Sequence, residues 1–391
     1  MGAEIVRNGL SEYKLKNKDI KLQNRFMIYN FIKDNHLVSK QDIVSGLRIS
    51  LPTVTQNLKY LSGEDLIDTS SQIRNTGGRN ATAYSIRAKA RVAIGISLTG
   101  HHITGVSVDL AGAVGSVIRC RIPFNLNDDT YLKKIGEIVE DICKKEEIAP
   151  SALLGVGISV PGLISEDGEE VVYGRTLQFS GRKKEEICRY ISYPTRLFHD
   201  SYTAGYAEAA ASPDLKYAFY ISLGSSVGGA IIGRTEIFPG DNNRAGEIGH
   251  MLVAPGSRKR CYCGNYGCFD CMCNAGVLDQ YTEGDLAEFF RQKDEGNAQF
   301  VKVWNKYLDD LAIAVHNVRV LGDIKVVLGG YVGPYVNQDF ENLYERVDKL
   351  NPFDDKAQTY LIPCRSTVES VAVGAAQIFL DEFLEELATK E

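Results

Sequence analysis

Three cysteines and one histidine crowd into a single short segment of this chain, at His250, Cys261, Cys263 and Cys268. The run reads Gly-Glu-Ile-Gly-His from Gly246, then Cys-Tyr-Cys-Gly-Asn-Tyr-Gly-Cys-Phe-Asp from Cys261 to Asp270. Zn²⁺ favours four nitrogen or sulfur ligands in a tetrahedron, and a Cys3His set supplies them. Gly264 and Gly267 permit the tight folding that turns Cys263 and Cys268 toward one ion. The alternative is a set of buried or disulfide-bonded thiols. Nine cysteines, an odd number with five of them between Cys261 and Cys273, favour a reducing compartment and a metal instead. Cys271 and Cys273 extend the cluster as spare thiols.

A chain of 391 residues is expected to form two or three domains. An apolar fraction of 44% with 24% charged residues is that of an ordinary soluble protein. No apolar run reaches the roughly 18 to 20 residues that span a bilayer, and the N-terminus lacks the apolar core of a signal peptide. A cytoplasmic protein without membrane contact is expected. Charge is uneven: residues 1–91 hold 15 Lys/Arg against 8 Asp/Glu, a surplus of +7. Against a total of −6 that leaves −13 for the rest. A basic front end on an acidic body points toward nucleic acid, although a solvated basic face with no partner would look the same.

The front end has a matching pattern. Ile20, Phe26, Ile28, Tyr29 and Ile32 fit one face of a helix from Asp19 to Lys33. Ser39 is a good N-cap for a short helix through Val44 and Ser45, with Gly46 as its stop. Ser50 caps a second helix with Pro52 in its first turn, continuing from Thr53 to Leu61. Val54, Leu58 and Leu61 would be its buried face. Thr53, Thr55, Gln56, Asn57 and Lys59 would face outward, where Gln and Asn read base edges and Lys meets phosphate. Residues 67–86 read as a β-hairpin whose tip, Thr76-Gly77-Gly78-Arg79-Asn80, can approach a minor groove through Arg79. The reading is a winged helix-turn-helix over residues 1–90, with Ser39, Thr53, Thr55, Gln56, Asn57, Lys59 and Arg79 as DNA contacts. A helical domain with a hairpin used for dimerisation is the competing reading.

Behind it, two stretches repeat a theme of strand, small-residue turn and strand. The first runs from Val92 through Leu98 to Ile103–Val108. The second runs from Ala218 through the turn Gly224–Gly229 to Ala230–Ile232. A duplicated α/β body with a cleft between two lobes follows. The amphipathic stretch from Phe300 to Val320 suits either a core helix or an oligomer contact.

Gly224–Ile232, the segment Ala245-Gly246-Glu247-Ile248-Gly249-His250, the cysteine cluster and Leu328-Gly329-Gly330 together resemble the ROK family (repressor, open reading frame, kinase). The N-terminal winged helix resembles that of its repressor branch, which includes xylose-type and N-acetylglucosamine-type regulators. The resemblance runs from about Leu22 to Ala376 and implies an actin-like, sugar-kinase-like body. Its lobes would be residues 91–197, with the C-terminal helix 367–391 packed on the first, and residues 198–366. It implies roles too. Asp200 of His199-Asp200-Ser201 matches the carboxylate that deprotonates a sugar in the kinases. Glu247 and His250 match sugar-hydroxyl ligands, with His250 also on the metal. Asp270 stands where the family has a longer Glu, and Thr176 stands in a stretch aligned with a sugar-binding Asn. The sugar site implied is thus Thr176, His199, Asp200, Glu247, His250 and Asp270.

Departures from the family pattern separate sensor from enzyme. Kinases of the family carry Asp-x-Gly-Gly-Thr where this chain has Ser97-Leu98-Thr99-Gly100-His101. Phosphoryl transfer relies on positioning and on metal neutralising phosphate charge, and a serine does not supply the ligand charge of aspartate. A β-branched Thr99 is poor where a turn must approach phosphates closely. The chain is expected to be a non-enzymatic, sugar-responsive repressor. Its partners would be operator DNA, a carbohydrate effector and further copies of itself as a homodimer or homotetramer, and its cofactor zinc. A sugar kinase with an appended DNA-binding domain is the alternative.

Overall fold

The computed structural model describes residues 17–73, 81–233, 236–366 and 369–389. They divide into two compact units. One comprises the described residues up to Val92, Asp109–Ala113 and those from Phe379 onward; the other comprises Ala93–Val108 and Val114–Ile378. The two expected lobes therefore fall in one unit. The C-terminal helix Ser370–Thr389 is divided between the units, its turns from Phe379 onward belonging to the N-terminal one.

In the N-terminal unit, helix α1 spans Asn17–Asn35 and buries Ile28, Tyr29 and Ile32. Strand β1 (Val38–Ser39) leads into α2 (Lys40–Leu47), whose Ser39 N-cap forms a capping box with Asp42. This box satisfies orphan donors at the start of the helix. Gly46, expected to stop α2, lies within it. A Cβ there would fall 2.4 Å from the Phe31 ring, so glycine serves close packing. The stop is Arg48, in the left-handed region at φ 56°. Helix α3 (Leu51–Gly63) begins at the Ser50 cap and buries Val54, Asn57, Leu58 and Leu61. Strands β2 (Ile67–Asp68) and β3 (Gln72–Ile73) both pair antiparallel with β4 (Ala81–Ile86), which also pairs with β1. The tip residues, Arg79 among them, lie outside the described residues. Arg25 is buried, donates to the carbonyl of Leu387 at 3.1 Å and stacks over Tyr60 at 3.4 Å, fastening the end of the C-terminal helix to α1 and α3.

The second unit is built on two five-stranded sheets. The first uses β5 (Val92–Leu98), β6 (His102–Asp109), β7 (Val114–Arg121), β8 (Leu153–Val160) and, beyond the small hairpin of β9 (Leu163–Ile164) and β10 (Val171–Tyr173), β11 (Thr195–His199). The second uses β12 (Ala218–Leu223), β13 (Val227–Ile232), β14 (Ile237–Phe238), β15 (Lys325–Gly329) and β16 (Leu361–Pro363). Their spatial orders are β7-β6-β5-β8-β11 and β14-β13-β12-β15-β16. Numbered within each half, both read third, second, first, fourth, fifth, so the duplication expected from the sequence is a duplication of topology. Strand β5 is buried at every position, as befits a central strand covered on both faces.

Helix Asp129–Lys145, capped by Asp128, buries Leu132, Ile135, Val139 and Ile142 at helical spacing beneath the first sheet. Under the second, helix Ala298–Gly322 buries Trp304, Tyr307, Leu308, Leu311, Val315 and Val318. Most of the Phe300–Val320 stripe is thus core, with Val320 exposed at its end. The turn expected from Gly224 to Gly229 is shorter, because β13 already starts at Val227. Gly228 lies in the strand, where a Cβ would stand 1.9 Å from Ser201 Oγ. Glycine there lets the start of helix Asp200–Ala211 press against the sheet. Among the described residues no helix is long and apolar enough to cross a membrane.

Candidate metal centre and polar cluster

The ligand atoms of His250, Cys261, Cys263 and Cys268 all lie within 4.8 Å of one another. Each is placed by a different local device. A single 3₁₀ turn, Ile248–His250, presents the imidazole. The loop that follows is held by Cys261 N–H to Asn265 C=O at 2.8 Å and by an isolated bridge between Leu252 and Cys268. Gly264 at φ 100° and Gly267 at φ 72° reverse the chain in conformations closed to other side chains. Cys268 then stands immediately before the short helix Phe269–Cys273, at its N-cap position.

The spacing fits a tetrahedral ion. Metal–sulfur bonds of about 2.3 Å give tetrahedral edges of about 3.8 Å. Cys263 Sγ and Cys268 Sγ are 3.7 Å apart, and Cys261 Sγ is 3.8 Å from His250 Nδ1. A disulfide needs about 2.05 Å between sulfurs, so no such pair is present here. Burial pushes the Cys261 thiol up to about 12 and the Cys268 thiol up to about 11. Cys263 goes the other way: burial opposes its ionisation, but hydrogen bonds from the Asn265 backbone and from Cys261 and Cys268 hold its thiol below the ordinary range. A divalent cation would favour the ionised form of all three. Cys271 stands aside, its thiol directed at the carbonyls of Cys268 and Lys259, and Cys273 is buried against Tyr307.

Beside the cluster, β11 ends on His199 and the helix beginning at Asp200 follows at once. His199 Nε2 lies 3.3 Å from Asp200 Oδ1 and 3.7 Å from Glu247 Oε1. Glu247 precedes the 3₁₀ turn that carries His250, so one backbone turn serves both the metal loop and the polar cluster. Two carboxylates flanking an imidazole, all half-exposed, offer acceptors and a donor suited to a polyhydroxylated ligand. Thr176 is exposed on the loop after β10, and no hydrogen bond joins it to His199, Asp200 or Glu247 among the described residues.

Asp270 departs from expectation. It is 4% exposed, and its Oδ1 accepts the Val227 N–H at 2.8 Å. Burial raises its carboxyl above the usual range, opposed by the Val227 bond and by His250. One methylene shorter than glutamate, it ties the short helix Phe269–Cys273 to the start of β13 through this bond. Asn57 is corrected likewise: it is 1% exposed, with its amide donating to the Thr53 carbonyl, so it packs inward from α3. Ser39 spends its hydroxyl on Asp42, and the hydroxyls of Thr53 and Thr55 are engaged with Ser50 and the Leu51 carbonyl. Gln56 and Lys59 are exposed on that helix, as are Thr55 and Ser62.

The turn between β5 and β6 is closed upon itself. Thr99 N–H donates to His102 C=O at 3.0 Å, while Thr99 Oγ1 meets the His102 N–H at 3.1 Å. Ser97 is 7% exposed on β5.

Residues 93–382 match the sequence pattern of the ROK family. The chain belongs to the ROK family. Among its relatives, a putative xylose repressor of Caldicellulosiruptor sp. (strain Rt8B.4) is 23% identical over 285 residues, 69% of this chain and 71% of that one. The DNA-binding transcriptional dual regulator NagC of Escherichia coli (strain K12) is 25% identical over 280 residues, 70% of this chain and 68% of that one. A solved ROK family transcriptional regulator, a homologue of the E. coli MLC protein, superposes with a TM-score of 0.71 at 20% identity, covering 95% of this chain and 100% of its own. The ROK hexokinase of Thermus thermophilus reaches 0.58 at 20% identity over 75% of this chain and 99% of its own. These likenesses support the ROK sugar-kinase-like fold, which the regulator shares over nearly the full length of this chain.

One residue escaped the sequence reading. Tyr262, between two of the thiols, places its phenol oxygen 3.3 Å from His250 Nε2 with the rings edge to face at 5.1 Å. Its position inside Cys-Tyr-Cys was the available signal.

Proposed function

We propose that this ROK protein is a sugar-responsive transcriptional repressor that binds operator DNA as a homodimer and takes a carbohydrate effector beside its metal loop. The carrying observation is the half-exposed His199–Asp200–Glu247 cluster, held against a Cys3His centre in a chain whose front end is a basic, capped helix-turn-helix. Residues 1–90 are assigned to DNA as a winged helix, 91–197 with 367–391 and 198–366 to the two lobes. The relatives named as repressors of xylose and N-acetylglucosamine genes support this reading.

Zn²⁺ is the cation whose ligand preference the Cys3His set matches, and four protein ligands leave no open position for catalysis. Its role is to hold the turn that carries Glu247 and His250. In DNA recognition, Gln56, Lys59 and Arg79 carry the contacts, with Thr53 and Thr55 lining the same face. A sugar alters operator affinity only insofar as it binds the DNA-free and DNA-bound states unequally.

Thr99 closing its own turn argues against the kinase alternative, as does a serine at position 97. The test is operator selection from a pool of random duplexes by the full-length protein, followed by binding of the selected duplex with and without sugars. Selection of a palindromic site whose affinity changes at least several-fold with one sugar supports the proposal. Recovery of no preferred duplex, or sugar-dependent ADP release with MgATP, refutes it.

A further inference from the structure

The imidazole of His250 has two edges, and both are occupied. Nδ1 faces Cys261 Sγ at 3.8 Å, on the metal side. Nε2 faces Tyr262 Oη at 3.3 Å. A nitrogen that binds a cation gives up its lone pair, so the proton of the neutral ring sits on the other nitrogen. With a cation on Nδ1, Nε2–H would donate and the phenol oxygen would accept. The phenol's own hydrogen has no acceptor among the described residues. Asp270 and Glu247 are among the charged groups around that phenol. With 40% of its surface exposed, Tyr262 is open to a ligand.

From this arrangement we infer that the effector meets Tyr262 rather than His250: the phenol is interposed between the metal-held imidazole and the sugar, and it donates to a sugar hydroxyl that in turn donates to Glu247. This deepens the proposed function and rests on it. Tyr262 is flanked in sequence by Cys261 and Cys263, so the ion that gathers those thiols also fixes the phenol. A cation held there would polarise Nε2–H and strengthen the phenol as a donor, since linked hydrogen bonds reinforce one another. Metal loading and effector affinity are coupled through one side chain. The ligand class is a carbohydrate carrying a hydroxyl able to donate and accept at once; the corresponding deoxy sugar lacks the group that both partners need.

The test compares full-length, zinc-loaded protein with Tyr262→Phe and Glu247→Gln by calorimetric titration of D-glucose, D-xylose, D-mannose and N-acetyl-D-glucosamine. Zinc is counted in each sample by a colorimetric chelator. Tyr262→Phe should keep one zinc per chain and lose at least tenfold in affinity for whichever sugar binds the parent. In spectra of ¹⁵N-histidine-labelled protein, the slowly exchanging Nε2–H of His250 should become fast-exchanging in the same variant. Parent-like sugar affinity in Tyr262→Phe, with Glu247→Gln crippled, overturns the role of the phenol and leaves the effector site standing. Failure of the parent to bind any of the four sugars overturns both. Unchanged exchange at His250 overturns the interposed hydrogen bond whatever the sugars do.

Discussion

Replacing Asp270 with alanine should cost stability far more than it costs ligand affinity. The carboxylate is 4% exposed and accepts the Val227 N–H at 2.8 Å, at the first residue of β13. Removing it leaves a buried donor without a partner, at about 1–3 kcal/mol, and a bond to a charged group is at the upper end of that range. We take about 2–3 kcal/mol. Unfolding entropy of about 2.1 cal/mol/K per residue, over the roughly 280 residues of the larger unit, gives about 0.6 kcal/mol/K. The melting temperature should therefore fall by about 3–5 °C in differential scanning calorimetry. Asp270→Asn keeps an acceptor oxygen at that place and should recover more than half of the loss. Glu247→Gln, at a half-exposed position, should leave Tm within about 1 °C and still abolish the sugar response. An Asp270→Ala protein with parental Tm and no sugar binding would show that Asp270 faces the ligand after all, and the bracing argument would be wrong.

Other expectations follow from the same geometry. Chelation of the metal, or Cys268→Ser, should lower Tm markedly; at a thousandfold excess over Kd a bound ion contributes about 4 kcal/mol, and parental Tm without metal would exclude a structural centre. Gly228→Ala should cost about 1–3 kcal/mol in urea unfolding, because the added Cβ would fall 1.9 Å from Ser201 Oγ, whereas a neutral result would mean the helix start yields freely. Lys59→Ala should weaken operator binding and reduce the salt slope of log K by about 0.9, with no change in slope excluding a phosphate contact there. Asn57→Ala, buried as it is, should change Tm without changing that slope.

Much of this fold could be read from the chain, and the misreadings have physical causes. The capped helices α2 and α3 were legible because Ser39 and Ser50 satisfy end donors through local bonds that sequence spacing specifies. The start of β13 was not, since Gly228 and Gly229 look like a turn until one sees that Ser201 needs the room. Asn57 was placed outward by its polarity, yet it lies three residues from Val54 and one from Leu58, on the buried face. Donation to the Thr53 carbonyl makes that burial tolerable. The bond from Val227 N–H to Asp270 was not legible, because the role was carried over from a longer side chain and no local spacing points to Val227. The gathering of His250, Cys261, Cys263 and Cys268 was legible from spacing, whereas Tyr262 was invisible because nothing in the spacing of cysteines specifies what the intervening residue does.

The turn after β5 bears on how this lineage can change. A threonine whose hydroxyl and amide both serve its own loop has no group left over to greet an incoming phosphate. Restoring an acidic residue at 97 would place a charge beside a loop still clenched against its guest, and loosening Thr99 alone would open a loop with nothing to anchor a cation. A kinase-like phosphate site would need both changes together, because two hydrogen bonds between Thr99 and His102 close the turn over four residues.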